Sequence, residues 1–198
     1  FLFSILNILE PILPIKQNEI LDAISSLEKT KQKIFSENLT ENISLDIAEF
    51  VTDLVCIYYP AGLKASAIRY KNSLQENSKT HAMVEDVIES CHNGIVAWEK
   101  KSNVKPIIIQ GIDDNYKTIE RWKILEEFFK TKNIEYKMVK SVEGNILSKI
   151  ANLVYVLDYS TIYTAIMKNV DPSPVNSIDF IKSKLWMSKY DLSDRFYI

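Results

Sequence analysis

Apolar positions along the chain set out an alternation of helical and extended elements. The apolar run at 1–13 reads as a buried helix stopped near Pro11 and Pro14, because proline excludes the α conformation from the residue before it. Ile20, Leu21, Ile24, Leu27 and Ile34 then recur at helical spacing among Lys, Glu and Gln, which predicts an amphipathic helix at 17–35. A third helix is expected at 40–53, opened by Thr40 and acidic residues. VCIYYP at 55–60 is short, apolar and aromatic, the signature of a buried strand, and it ends in Pro-Ala-Gly ahead of a helix at 63–78. HAMVED at 81–86 is a weaker strand, a helix follows at 92–98, and 105–111 in VKPIIIQG is the clearest strand. An amphipathic helix (YKTIERWKILEEFFKTKN), a strand in IEYKMVKS, and helices at 145–169 and 176–189 complete the pattern.

Strands alternating with helices predict an α/β fold, a parallel sheet sandwiched between helices. The ligand site of such a fold lies at the carboxyl ends of the strands. Glu76 and His92, sixteen positions apart, come from elements flanking the first two strands, so one shared site is expected for them.

Composition narrows the function classes. With 46% hydrophobic and 25% charged residues the chain is of soluble globular type, and its 198 residues suffice for one α/β domain or one domain plus part of another. A net charge of −2 from 24 basic and 26 acidic residues gives no general attraction to nucleic acid or anionic membrane. Any bound phosphate must therefore be held by a local site. Cys56 and Cys91 lie in unrelated segments with no CxxC partner, as reduced thiols of a cytoplasmic protein would. No apolar run is expected to reach the roughly 20 residues that cross a bilayer, and the N-terminal segment is interrupted by Asn7, Glu10 and prolines. There is no initiator Met, and 1–13 is expected to find its packing partners upstream. The chain has no GxGxxG, GxxxxGK[ST], HExxH, GxSxG or paired-aspartate motif, which argues against nucleotide, zinc and serine-hydrolase chemistry; neither metal nor cofactor is expected.

Candidate acid–base chemistry sits on the helix at 63–78. Leu63, Ala67, Tyr70 and Leu74 share one face; Arg69, Asn72, Glu76 and Lys79 share another. The second face reads equally as a solvated surface with weak i,i+3 and i,i+4 pairs. Glu76, however, falls in the last turn, where unpaired carbonyls make a carboxylate a better proton acceptor. His92 precedes Asn-Gly at an expected helix start, as a capping residue or as a proton acceptor whose neutral form the helix end favours. Lys182 and Lys184 on the last helix read as surface lysines.

The segments A-x-R-Y-K-x-x-L-x-E-N-S-K, E-x-x-H-N-x-I-x-x-W and LDYSTIYTAIMKNVDPSPVNSIDFIKSKL, in that order, closely resemble the C-terminal half of the bifunctional phosphoglucose/phosphomannose isomerases of archaea and some bacteria. The resemblance covers residues 55–185. It implies a pair of sugar isomerase (SIS) domains of flavodoxin-like three-layer α/β/α form, of which this chain holds the second at 41–198, with extra N-terminal and C-terminal helices and a helical remnant of the first at 1–40. The activity it implies is aldose–ketose isomerisation of glucose 6-phosphate and mannose 6-phosphate with fructose 6-phosphate through a cis-enediol, without metal. Glu76 then matches the base that moves a proton between C1 and C2. His92 matches a ring-opening histidine delivered from the neighbouring subunit of a homodimer, and Lys182, or Lys184 one register away, the lysine at the ring oxygen. Arg69 and Asn77 become substrate-binding positions.

The same resemblance puts Glu76 and His92 of one chain in different sites, against the shared site expected from their elements. It has departures. Ile88 stands where Pro is usual and Thr161 where Ser is usual, and the first domain's Ser/Thr-rich phosphate loop and its arginine have no counterpart here. A non-catalytic SIS module that binds a sugar phosphate or dimerises is the alternative.

Overall fold

A computed structural model of the chain describes residues 2–9 and 11–193; Phe1 and Glu10 of the helix expected at 1–13 lie outside them. The elements run α1 (Leu2–Leu9), α2 (Gln17–Ile34), α3 (Ile43–Phe50), β1 (Leu54–Tyr59), α4 (Lys64–Asn77), β2 (His81–Asp86), α5 (Val87–Ser90), β3 (Lys105–Gln110), α6 (Tyr116–Thr131), β4 (Lys137–Lys140), α7 (Ile146–Met167) and α8 (Asn176–Ser193). Short 3-10 turns at Ala61–Leu63 and Gly94–Glu99 precede α4 and follow α5.

Four strands pair in the order β2-β1-β3-β4, all parallel, with Leu54 opposite His81 and Val55 opposite Lys105. The two central strands are apolar along their length because both their faces are covered. Val55, Ile57, Tyr59, Ile107 and Ile109 point to a layer built from α2, α3, α4 and α7. Cys56, Tyr58 and Ile108 point the other way, against Val87, Trp98 and the α6 side chains Trp122, Leu125 and Phe129. This is the three-layer α/β/α architecture that the alternation predicts.

Three expectations are corrected. The helix expected at 40–53 starts later, because the Asn42 side chain rather than Thr40 accepts the amides of Ser44 and Leu45. The helix expected at 92–98 is a 3-10 turn beginning at Gly94, and His92 lies in the turn before it, its amide donating to the Glu89 carbonyl at 2.9 Å. In the segment at 1–13, whose packing partners are expected upstream, Ile8 and Ile12 are 76% and 78% exposed, and none of the described side chains is fully buried. Finally, α7, with 22 residues, is long and apolar enough by length and composition to cross a membrane. Here it packs as a central helix of one layer, and its polar side chains are bonded to its neighbours. Ser44 donates to the Val156 carbonyl (2.8 Å), Asn152 to Ser26 (2.9 Å), and Tyr163 to the Ile34 carbonyl (2.7 Å).

Cys56 is buried and its thiol is pushed up to about 12, chiefly by that burial, so it is a core residue without nucleophilic character. In the same layer Trp98 Nε1 donates to the Tyr58 hydroxyl at 2.8 Å, a bond between two buried aromatic groups beside Phe129. Tyr58→Phe keeps the ring but leaves the indole N–H without an acceptor. It is expected to cost about 1–3 kcal/mol, read as a lower urea midpoint at unchanged slope.

Candidate active site

In a parallel sheet, the helix after a strand runs back and delivers its C-terminus to the opposite edge. Glu76, in the last turn of α4, is therefore at the amino end of the sheet, and His92, beyond the end of β2, is at the carboxyl end. Six strand residues separate these ends, roughly 20 Å at about 3.3 Å each. The structure does not bring Glu76 and His92 of one chain into a common site.

At the amino end, Glu76 opens onto a cavity of about 620 Å3 lined also by Lys79, Thr80, His81, Asp171 and the start of α8 from Pro174 to Ile178. Two features build it. Lys79 takes the left-handed conformation at the end of α4 (φ 53°), which for a side chain other than glycine costs of order 1 kcal/mol. Its ammonium then donates to the carbonyls of Glu76 (2.6 Å) and Pro174 (2.8 Å), so the carbonyl expected to be unpaired beside Glu76 is capped, and the segment entering α8 is tied to the end of α4. On the other side, the Thr80 amide donates to the Leu74 carbonyl at 3.1 Å, and Lys168 from the end of α7 donates to the Thr80 hydroxyl at 2.8 Å and to the Thr52 carbonyl.

Arg69 and Asn77 reach α7. The Arg69 guanidinium donates to Asp158 through Nε (3.1 Å) and Nη2 (2.9 Å), and Ser73 donates to the same carboxylate at 2.6 Å. Asn77 donates to the Thr161 hydroxyl at 2.8 Å, and that hydroxyl donates to the Asp158 carbonyl at 2.7 Å. A serine at 161 would offer the same hydroxyl, which explains why Thr161 is a mild departure. Lys182 and Lys184 are exposed on α8. Lys182 is one turn beyond Ile178, a lining residue, whereas Lys184 lies over the Phe180 ring at 5.7 Å. His81, the first residue of β2, lines the cavity and is not singled out by motif or spacing. Its place at the head of a strand five positions after Glu76, across a tight turn, is the available signal.

The carboxyl end of the sheet, where a ligand of this fold class is expected, has little to offer a phosphate. Residues 60–63 after β1 and 111–114 after β3 contain no serine or threonine. Asp113 is held by Lys149 at 2.5 and 2.6 Å, which pulls its carboxyl below the ordinary range. Asp114 accepts the Gly111 amide (3.0 Å) and Trp122 Nε1 (2.9 Å). Near His92, the half-buried Glu85 has one carboxylate oxygen with no partner, and that oxygen fills the space a side chain at Gly94 would need. Burial pushes the Glu85 carboxyl above its ordinary value.

The chain belongs to the family of the bacterial phospho-glucose isomerase C-terminal SIS domain, whose family model matches residues 37–185. The bifunctional phosphoglucose/phosphomannose isomerase of Caldicellulosiruptor bescii is 28% identical over 191 residues, 93% of this chain and 55% of that protein. The protein of the same name from Aquifex aeolicus is 25% identical over 169 residues, covering 80% and 53%. The chain thus spans about half the length of the curated relatives it matches. Among solved structures, a glucose-6-phosphate isomerase like protein from Thermus thermophilus superposes with a TM-score of 0.63 at 12% identity, over 79% of this chain and 52% of that one. Glucosamine-6-phosphate deaminase from Thermotoga maritima gives 0.57 at 12%, over 86% and 51%. At such identities these likenesses establish the fold.

Two outcomes are expected. Lys79→Met removes the tie between α4 and the α8 entry; a stability loss of about 1 kcal/mol should accompany faster amide exchange at Ile178 and Asp179, measured by hydrogen exchange. Glu85, whose folded carboxyl holds its proton more tightly than the unfolded one, withdraws stability as pH rises through its raised value. Glu85→Gln should therefore raise the urea midpoint at about pH 7 and leave it nearly unchanged at about pH 3.

Proposed function

We propose that this chain is the C-terminal portion of a cytoplasmic phosphosugar isomerase that interconverts glucose 6-phosphate and mannose 6-phosphate with fructose 6-phosphate through a cis-enediol. The observation that carries the reading is the Glu76 cavity: a carboxylate with no hydrogen bond of its own, at the mouth of a cleft closed by α8. Glu76 moves the carbon-bound proton between C1 and C2, as a positioned general base does. Lys182, in step with Ile178 on α8, assists at the ring oxygen. Arg69 and Asn77, bonded to α7, hold the α4 end in place and lie beside the bound sugar. The Arg69 guanidinium already feels the Glu76 charge.

His92 sits at the far end of β2 from this cavity, and that separation supports a homodimer in which the partner's His92 opens the sugar ring. The loops after β1 and β3, which carry no serine or threonine, support a division of labour in which the phosphate is held by a preceding SIS domain, of which residues 1–40 carry the closing helices. A non-catalytic module that binds a sugar phosphate is the second reading, and the free carboxylate in a lined cavity speaks against it.

The purified 198-residue chain is expected to show no isomerisation of fructose 6-phosphate, and in the complete protein Glu76→Gln should lower kcat by about 10²–10⁴-fold. Turnover by the isolated chain would overturn the division of labour. Full activity of the Glu76→Gln protein would overturn the isomerase reading in favour of the binding module.

A further inference from the structure

Only two histidines occur in the chain, and the structure reverses which of them keeps company with Glu76. His92 is a strand length away. His81 lines the same cavity as Glu76, and its backbone is fixed there from three sides: it pairs with Leu54 of β1, follows the anchored Thr80, and heads the strand that the α4 turn feeds. We propose that His81 is a second catalytic group of the Glu76 cleft, carrying the proton that moves between the two sugar oxygens while Glu76 carries the one that moves between carbons.

The inference rests on the isomerase reading and deepens it. Aldose–ketose isomerisation relocates two hydrogens, one between C1 and C2 and one between O1 and O2, and a single carboxylate does not serve both at once. From fructose 6-phosphate, Glu76 takes a C1 proton, the C–H pair forms the C1=C2 bond, and the C2=O2 π pair takes a proton from the His81 imidazolium. The enediol O1–H then returns a proton to the neutral imidazole as C2 takes the proton held by Glu76, leaving C1=O1. Both groups end as they began, and no other reactant is consumed. An imidazole suits the oxygen transfer because its two ring nitrogens can donate a proton at one oxygen and accept one at another.

The other charged groups that line the cavity are already engaged, and Lys182, one turn beyond Ile178 on α8, stands open at its edge with the ring-oxygen role given above. Lys79 is bonded to the carbonyls of Glu76 and Pro174, Asp171 accepts the Ser173 amide at 2.9 Å, and Lys168 is bonded to Thr80 and Thr52, with Asp53 near it. Among the described residues of this cavity, Glu76 and His81 are the ionisable side chains without a hydrogen bond or ion pair of their own, and both are exposed to whatever enters it.

The test compares His81→Gln, Glu76→Gln and the parent in the complete protein, with fructose 6-phosphate as substrate. His81→Gln should lower kcat by about 10²-fold with KM changed by less than about threefold, and should change the shape of the kcat–pH profile. Position 81 is exposed, so an unaltered melting temperature should accompany the loss. If Glu76→Gln is inactive while His81→Gln keeps the parent's kcat and pH profile, His81 is a bystander and the isomerase reading stands. A fall in kcat with the pH profile unchanged would mark a structural role and overturn the proposal as well. If Glu76→Gln is as active as the parent, both the isomerase reading and the role of His81 fail.

Discussion

The packing of α4 on α7 is the constraint from which the site follows. Both helices bury an apolar face in one layer of the core, Ala67, Tyr70 and Leu74 from α4 against Leu153, Val156 and Leu157 from α7. Apolar burial alone would let one helix slide or roll on the other, since it is non-directional. The Arg69–Asp158–Ser73 cluster and the Asn77–Thr161 bond remove that freedom, because directional bonds at both ends of the contact tolerate neither slip nor rotation. Their value lies in register more than in energy: the Arg69 side chain of the pair is 58% exposed, and ion pairs with an exposed partner contribute little stability.

With α4 held, the turn after it has one course. Lys79 accepts a left-handed backbone and bridges to the loop before α8, while Lys168, the residue after α7, reaches Thr80 and Thr52 at the amino ends of β2 and β1. α7 therefore secures both walls of the cavity, one through α4 and one through its own C-terminus. A helix of 22 residues with membrane-like apolarity serves this purpose because its polar side chains meet α2 and α4 on different sides, while α3 donates through Ser44 to its Val156 carbonyl.

The strands and the core were legible because continuous apolar runs such as those in β1 and β3 have few other uses in a chain of alternating elements. Helix boundaries were less so. Asn42 competes with Thr40 for the same cap, and the stretch after β2 is too short and too rich in turn residues for regular helix. Residue pairing was not legible at all. Arg69 and Asp158 are 89 positions apart, and nothing in a helical face says whether it meets solvent or a helix from the far end of the chain. Pattern reading therefore leaves Glu76 divided between a solvated face and a proton acceptor, and the family resemblance alone draws out Arg69 and Asn77. Neither source draws out His81, since spacing within a helix carries no information across a helix-to-strand turn.

The two ends of the sheet divide the chemistry by charge. At the carboxyl end Asp113 and Asp114 are committed to Lys149, Trp122 and a backbone amide, and the loops at 60–63 and 111–114 bring no cationic or hydroxyl side chain to a dianion. At the amino end the α4 terminus would repel an anion by its dipole, yet the Lys79 ammonium caps the carbonyl that carries that negative end. What remains open there is a carboxylate and an imidazole, groups able to exchange protons rather than to grip an anion. On the reading proposed above, such a cleft serves proton transfer, and the charged end of a substrate would be held elsewhere.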